Sequence, residues 1–454
     1  MPKSSITRRA FLGSAAAAWL NPAGRLPNFV IILADDQGYG DLGCFGSADL
    51  RTPNIDKMAA EGARLTSFYA APVCTPSRAS LMTACYPIRV GLGHRVLFPF
   101  STKGINSDEV TLAELVKARG YSTACIGKWH LGHHPEFLPQ RHGFDYHFGT
   151  PYSNDMGNYQ YTDPVFKAPP LPLLRNGELI EQDPDQNHLT RRYTDEAVAF
   201  LGRNRERPFF LYLAHNMPHL PLAASDRFRG KSNRGLYGDA VEEIDWSTGE
   251  VLRAMKKLGL EKNTLVLYTS DNGPARQEGA QKGSAGPLRG YKNSTWEGGM
   301  RVPCIVRWPG RIPPAQVRDE IVSEMDVLPT FAGMAGASLR TDLTIDGVNV
   351  WPLLAGQHPA KPPREILFYY VDDRLQAVRQ GRWKLHVERP DSEEKVPLLF
   401  DLETDIGEKA NLAARHPEIV NRLMVLVEQA RRELGDKATG AIGTGVRPAG
   451  SVQR

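Results

Sequence analysis

The stretch Cys74-Thr75-Pro76-Ser77-Arg78 puts a thiol, two hydroxyls and a guanidinium within five residues. Thr75 suits a helix N-cap and Pro76 the first helical position, where its missing N–H costs nothing. Residues 79–84 continue as plausible helix, so Cys74 falls at a helix N-terminus, where free backbone N–H groups and the helix dipole favour an anion. Arg78, one turn further, adds a planar charged fork matched to a tetrahedral oxyanion. The competing reading is a packed core thiol beside a surface arginine, since free cysteine is among the most buried residue types.

Four more groups of residues extend that chemistry. Asp35, Asp36, Asp271 and Asn272 offer hard oxygen donors only, a set suited to Ca²⁺ or Mg²⁺ rather than zinc. If the three carboxylates converge they repel one another, and a divalent cation relieves that; the alternative is that each pair merely caps a turn. Lys128 and His130 are two apart, so in an extended segment both point to one side. His130 has the titration range of a proton carrier. His219 follows Pro218 in a turn, and Lys292 lies in a Gly-rich loop, where most lysines are simply solvated.

These residues share a position in the pattern. Residues 29–33, 121–126, 208–213 and 264–269 are short apolar runs of the kind buried on both faces of a sheet. They run respectively into Asp35-Asp36, Lys128-Trp129-His130, His215 to His219, and Asp271-Asn272. Helical stretches are expected between them at 54–62, 111–120, 192–204 and 239–258, and a further one at 323–336. Alternating strands and helices predict an α/β fold, a mainly parallel mixed sheet sandwiched by helices. Ligands in such sheets bind beyond the carboxyl ends of the strands, which would gather the four groups round one crevice. Residues 151–190 and 274–300 read as loops over that crevice. A boundary is expected at 359–363, followed by a small antiparallel sheet of strands at 366–371, 375–378, 383–387 and 397–401 and an amphipathic helix at 418–434. The domains are then 26–358, catalytic, and 359–435, a C-terminal α+β subdomain, with a frayed tail at 436–454.

The bulk properties exclude more than they select. A chain of 454 residues suffices for one large core plus a smaller domain, and a formal charge of +4 gives no case for nucleic acid or a membrane surface. Five cysteines with no C-x-x-C pair argue against a thiolate zinc site and leave at least one thiol free or modified. Residues 1–25, with Arg8-Arg9-Ala10-Phe11-Leu12 before a short alanine-rich run, resemble a bacterial twin-arginine export signal too short to span a bilayer. The chain is accordingly expected to be exported, periplasmic or secreted.

Taken with their surroundings, these motifs resemble the type I sulfatases, and closely the arylsulfatase A and N-acetylgalactosamine-6-sulfatase branch. The matching segments are residues 28–36, the C-x-P-S-R signature at Cys74, Gly127-Lys128-Trp129-His130, residues 151–155, Pro218-His219, Ser270-Asp271-Asn272-Gly273, Gly290-Tyr291-Lys292 and residues 297–303, with 399–405 and Asn411-Leu412 near the end. The resemblance implies an alkaline-phosphatase-like fold and hydrolysis of aryl or carbohydrate sulfate esters. It implies that Cys74 is oxidised to Cα-formylglycine by a formylglycine-generating enzyme, and that its hydrated gem-diol sits on one Ca²⁺ with Asp35, Asp36, Asp271 and Asn272. One hydroxyl, assisted by Asp271, attacks sulfur. Arg78, Lys128 and Lys292 neutralise sulfate charge, His219 with Lys292 protonates the leaving alcohol, and His130 takes the proton of the second hydroxyl as sulfate departs. Ser153 resembles a residue near the sulfate. Where the family usually has Gly-Arg after the signature, this chain has Ala84-Cys85. Two rival readings remain at this stage: a phosphate or phosphonate ester hydrolase on the same fold, and an unmodified glycan-binding pseudoenzyme.

Overall fold

The computed structural model describes residues 25–157, 169–276, 282–390 and 393–452. The expected export signal lies outside the described residues. Among them, no helix is long and apolar enough to cross a membrane.

The architecture is set by the strand Asn28–Ala34, whose seven residues are all buried. Phe29, Ile31 and Leu33 pack with one core cluster, and Val30, Ile32 and Ala34 with a second, on opposite faces of the sheet. That two-sided burial explains an apolar run without alternation. The strand pairs in parallel with Thr264–Ser270 on one side and Phe209–Ala214 on the other, and the latter pairs in parallel with Ser122–Gly127. All four motif-bearing strands are therefore consecutive neighbours in a ten-stranded mixed sheet, completed by antiparallel strands such as Cys304–Arg307. Helices cover both faces: Cys74–Thr83, Leu112–Lys117 and Val327–Ala335 on the first, and Pro53–Ala60, Leu189–Arg203 and Gly235–Lys257 on the second.

Behind this sheet stands the expected antiparallel sheet of Ile366–Val371, Arg374–Gln380, Trp383–His386 and Leu398–Asp401. The helix Pro417–Glu433 packs Leu423, Val427 and Ala430 against it.

Three expectations of local structure are corrected. The helix begins at Cys74 with Val73 as its extended N-cap, so Thr75 is not the cap. Its hydroxyl instead donates to the His130 carbonyl and accepts from Leu97 N–H. The stretch read as a loop at 151–190 contains the hairpin Pro172–Arg175 and Glu178–Gln182, which extends the main sheet. The tail expected to fray is pinned: Gly435–Asp436 pairs with Ala441–Ile442, and Gly450–Ser451 pairs with Lys103–Gly104.

Candidate active site

The register brings the four strand ends level. Ala34 is opposite Ser270, Leu33 opposite Ala214, and Gly127 also opposite Ala214. The ladder continues past the strands, since Asp271 N–H donates to Ala34 C=O, Asp35 N–H to Met217 C=O and Lys128 N–H to Ala214 C=O. Neighbouring strands lie about 4.8 Å apart, so side chains leaving these ends in a common direction must meet. Asp36 has a left-handed backbone (φ 64°), which turns the chain sharply after the strand.

The Cys74 helix delivers the remaining parts. Cys74 Sγ lies 3.5 Å from Asp35 Oδ1 and 3.3 Å from Lys292 Nζ. Arg78 spans the floor: Nε and Nη2 donate to Asp271 Oδ2 at 3.1 and 2.9 Å, Nη2 reaches Asp35 Oδ2 at 3.3 Å, and Nη1 donates to Lys128 C=O at 2.7 Å. Lys128 Nζ donates to Asp35 Oδ2 at 2.5 Å and to Ser153 Oγ at 3.1 Å. Lys292 Nζ sits 2.6 Å from Asp36 Oδ1, and His219 Nε2 3.6 Å from Asp36 Oδ2. Every one of these partners is buried or nearly so.

Burial and pairing set the charge states. Burial pushes the Asp35 carboxyl up, but Lys128, His219 and Arg78 more than offset it and hold it below its ordinary value. Burial and the Asp35 charge raise Asp271. Burial, reinforced by Asp35, lifts the Cys74 thiol well above its ordinary value, so an unmodified thiol here stays protonated and is a poor nucleophile. Burial lowers the Lys292 ammonium and Asp36 with Cys74 more than restores it, so it remains charged.

His130 is held differently. It is buried in a left-handed conformation (φ 62°), its Nε2 is 3.0 Å from Leu97 C=O, and its Nδ1 is buried without a partner. A carbonyl can only accept, so Nε2 carries the hydrogen and Nδ1 the free lone pair. Burial and the nearby Lys128 keep the ring neutral.

These donors form a candidate metal site. Oxygen, sulfur and nitrogen ligand atoms of Asp35, Asp36, Cys74 and His219 all lie within 4.8 Å of one another. Asn272 Nδ2 donates to Asp36 Oδ1 at 2.7 Å, while its Oδ1 is buried without a hydrogen-bond partner. Asp271 lies outside that group and adjoins it through its other oxygen, which accepts Asp36 N–H at 3.1 Å. All eleven sequence-selected residues are thus brought into one buried cluster or directly against it.

Sequence reasoning missed the supports. Glu324 is fully buried and accepts Ser77 Oγ–H at 2.6 Å and Ala71 N–H at 3.0 Å, bolting both sides of Cys74. Glu297 is buried between Tyr369, Arg301 and Lys384, and its N–H donates to Glu408. Only Glu297 carried a signal, inside the residue 297–303 motif.

Comparison with known proteins agrees with this geometry. A family model described as Sulfatase matches residues 27–337, and one described as N-sulphoglucosamine sulphohydrolase, C-terminal, matches residues 291–433. The chain belongs to the sulfatase family. It is 41% identical to arylsulfatase A of Bos taurus over 442 residues, covering 89% of this chain and 86% of that protein. It is 37% identical to N-acetylgalactosamine-6-sulfatase of Canis lupus familiaris over 486 residues, covering 95% and 91%. Among solved structures, the PsFucS1 sulfatase from Pseudoalteromonas sp. superposes with a TM-score of 0.81 at 30% identity, covering 91% of this chain and 92% of that one. This sulfatase is accordingly a hydrolase of sulfate esters.

Proposed function

We propose that this sulfatase cleaves the sulfate ester of an aryl or carbohydrate substrate with Ca²⁺ held by Asp35, Asp36, Asp271 and Asn272, and with Cys74 as the precursor of formylglycine. The observation that carries the reading is the meeting of the Cys74 thiol with Asp35 on one side and Lys292 on the other in a closed polar cluster. The aryl and sulfated-sugar alternatives follow the names of its relatives, arylsulfatase A and N-acetylgalactosamine-6-sulfatase.

The case for a divalent ion comes from the anionic substrate, not from excess carboxylate. Arg78, Lys128 and Lys292 offset Asp35, Asp36 and Asp271, so the side chains alone are close to neutral. Calcium, when bound, supplies two uncompensated positive charges and a Lewis acid for a sulfate oxygen. Formylglycine, when formed, supplies as a hydrated aldehyde one hydroxyl to attack sulfur and a second to expel sulfate, which a thiol lacks.

The chain's own residues do the rest. Arg78 is fixed at three nitrogens and cannot swing away, so it presents a preorganised positive charge to the sulfate oxygens. Lys128, tied to Ser153, holds a second face of the anion. His219 is 9% exposed, at the mouth where an alcohol must leave, and acts with Lys292 as the proton donor. His130 takes up a proton at Nδ1, the ring nitrogen free to accept one. Burial of the cluster excludes competing water and strengthens each of these interactions.

Cys74 is 1% exposed, so its oxidation by a formylglycine-generating enzyme must precede folding. Twin-arginine export of the folded chain would follow, and cell fractionation with the leader arginines replaced by lysine tests that step. Mass spectrometry of the peptide carrying Cys74, from active protein expressed in its native host, tests the nucleophile. The expected mass is that of the aldehyde or its hydrate; an intact thiol in fully active protein overturns the proposal. A panel of sulfated saccharides and aryl sulfates, read by sulfate release, assigns the substrate.

A further inference from the structure

A cavity of about 660 Å³ lies at the seam between the catalytic sheet and the C-terminal sheet, and none of the active-site residues lines it. Its walls include Arg301, which follows the Glu297–Met300 turn, and Arg379 of the C-terminal sheet. Both are at least nine-tenths buried, with 5% and 7% of their surface exposed.

Each guanidinium is anchored by two of its three nitrogens. Arg301 Nε donates to Thr66 C=O at 2.5 Å and Nη1 reaches Glu297 Oε2 at 3.4 Å. Arg379 Nε donates to Gly381 C=O at 2.8 Å and Nη1 to the Tyr69 hydroxyl. Arg379 Nη2 has no hydrogen-bond partner among the described residues, and the Arg301 guanidinium has beyond these two only the Tyr39 side chain beside it. Two fixed forks, with a prong free on Arg379, are suited to an oxyanion.

The charge around them is also unbalanced. Arg301, Arg379 and Lys384 share two carboxylates, Glu297 and Glu408, all inside the protein. His386, which completes the cluster against Glu408, is neutral through burial. One positive charge is left over in a region where unpaired charge is costly. The other arginines at the cavity do not change this. Arg364 is bidentate to Asp326, and Arg382 is spent on Asp401 and Glu403. Carboxylates line the cavity too: Asp319 and Glu365 are exposed, where water screens them, whereas Glu320 is half-buried with its Oε2 buried and without a hydrogen-bond partner, so an anion here must sit on the arginine side, away from Glu320. Arg422, exposed on the helix Pro417–Glu433, faces the same opening and has no ion-pair partner among the described residues.

We propose that this seam is a second, non-catalytic binding site for a sulfate group, held by Arg301 and Arg379 with Arg422 at the entrance. The sulfate group is either the free anion that the enzyme releases or one carried on a sulfated saccharide. The choice of sulfate rests on the family's reaction; the presence of an anion site rests on the arginines alone.

The test is calorimetric titration of the full chain at constant ionic strength with sodium sulfate, and separately with a chondroitin 6-sulfate tetrasaccharide and its unsulfated counterpart. Lys292→Ala weakens the catalytic centre and should leave one binding event. Adding Arg379→Gln or Arg422→Gln to that variant should weaken the remaining event about tenfold, the loss of one charge-assisted hydrogen bond. Binding of sodium sulfate supports the free anion; binding of the sulfated tetrasaccharide alone supports the saccharide. Absence of binding by either, or binding indifferent to both arginine changes, overturns the site. Arg422 is on the surface, so its variant decides the question if Arg379→Gln fails to fold. If phosphate proved the preferred leaving group in turnover while this site still bound sulfate, the catalytic reading would fail and the seam would stand.

Discussion

Replacing Glu324 tests how the signature helix is held. Alanine there removes the acceptors of Ala71 N–H and Ser77 O–H, three residues either side of Cys74. The stranded N–H alone costs about 1–3 kcal/mol, the hydroxyl less because it can rotate, and the space left by a fully buried side chain adds a comparable amount. The total is about 3–5 kcal/mol, or a melting point lower by roughly 5 °C in a chain this long. A displacement of Cys74 on the order of 1 Å should cost about a hundredfold in turnover. Glutamine separates the mechanisms. Burial raises the Glu324 carboxyl well above its ordinary value, which favours its uncharged form. Glutamine is then a near isostere: its oxygen accepts from Ala71, its amide donates to Ser77 Oγ, and the cost should stay below about 1 kcal/mol. The assays are thermal unfolding by circular dichroism and sulfate release from an aryl sulfate. An alanine variant that melts and turns over like the parent refutes the tether. A glutamine variant as damaged as alanine refutes the uncharged carboxyl and would mean that a negative charge beside Arg78 is needed.

Asn272→Leu removes the unpartnered oxygen and should lower calcium affinity roughly tenfold or more without unfolding the chain, read by competition with a fluorescent chelator; unchanged affinity removes Asn272 from the ligand set. Asp245 accepts both Asn54 and Ile55 N–H at the start of the helix Pro53–Ala60, and burial raises its carboxyl from 3.8 to about 6. The folded form therefore binds that proton more tightly than the unfolded form. Its stabilising contribution is complete below about pH 4 and is lost as pH rises through about 6, at most ~3 kcal/mol. Asp245→Asn should flatten that limb of the stability profile, and a wild-type-minus-variant difference independent of pH contradicts the assignment. Arg447→Met strands Glu109, which is 4% exposed and paired with Arg447 at 2.6 Å, and should cost about 2 kcal/mol or more in thermal unfolding; an unshifted melt shows the tail contact to be idle.

What the sequence made legible was whatever repeats at short range. Phe29 to Leu33 declared a doubly buried strand because both its faces pack, and the Asp, Lys, His and Asn residues beyond such runs declared a crevice by their position alone. The helices were found to within a few residues for the same reason. The start of the Cys74 helix was misread by two residues because Thr75 has the chemistry of a cap, but its hydroxyl is taken by Leu97 and His130, contacts 22 and 55 residues away. The hairpin Pro172–Arg175 with Glu178–Gln182 was missed because its second strand is mostly exposed and lacks the apolar alternation that marks a strand. Glu324, Lys384 and Glu408 look like ordinary surface charges in a linear reading. Only tertiary packing puts them inside, where each is worth a tether.

The departure at Ala84-Cys85 has a structural account of the same kind. Ala84 closes the Cys74 helix in the left-handed region at φ 59°, and its carbonyl accepts from both Asp346 and Gly347 N–H. Glycine takes that conformation freely, whereas alanine bears about 1 kcal/mol of strain. The buried methyl returns about 0.8 kcal/mol, and alanine restricts the unfolded chain more than glycine does, so the exchange is close to neutral. Cys85 replaces a basic residue, yet a guanidinium is there all the same. Arg447 arrives from the last strand-bearing segment, pairs with Glu109, donates to Thr344 C=O at 3.0 Å and sits 3.3 Å from Cys85 Sγ. A residue 362 positions further along the chain thus places a positive charge just beyond the end of that helix. The C-terminal tail, which looks dispensable by composition, therefore packs beside the end of the helix that carries Cys74.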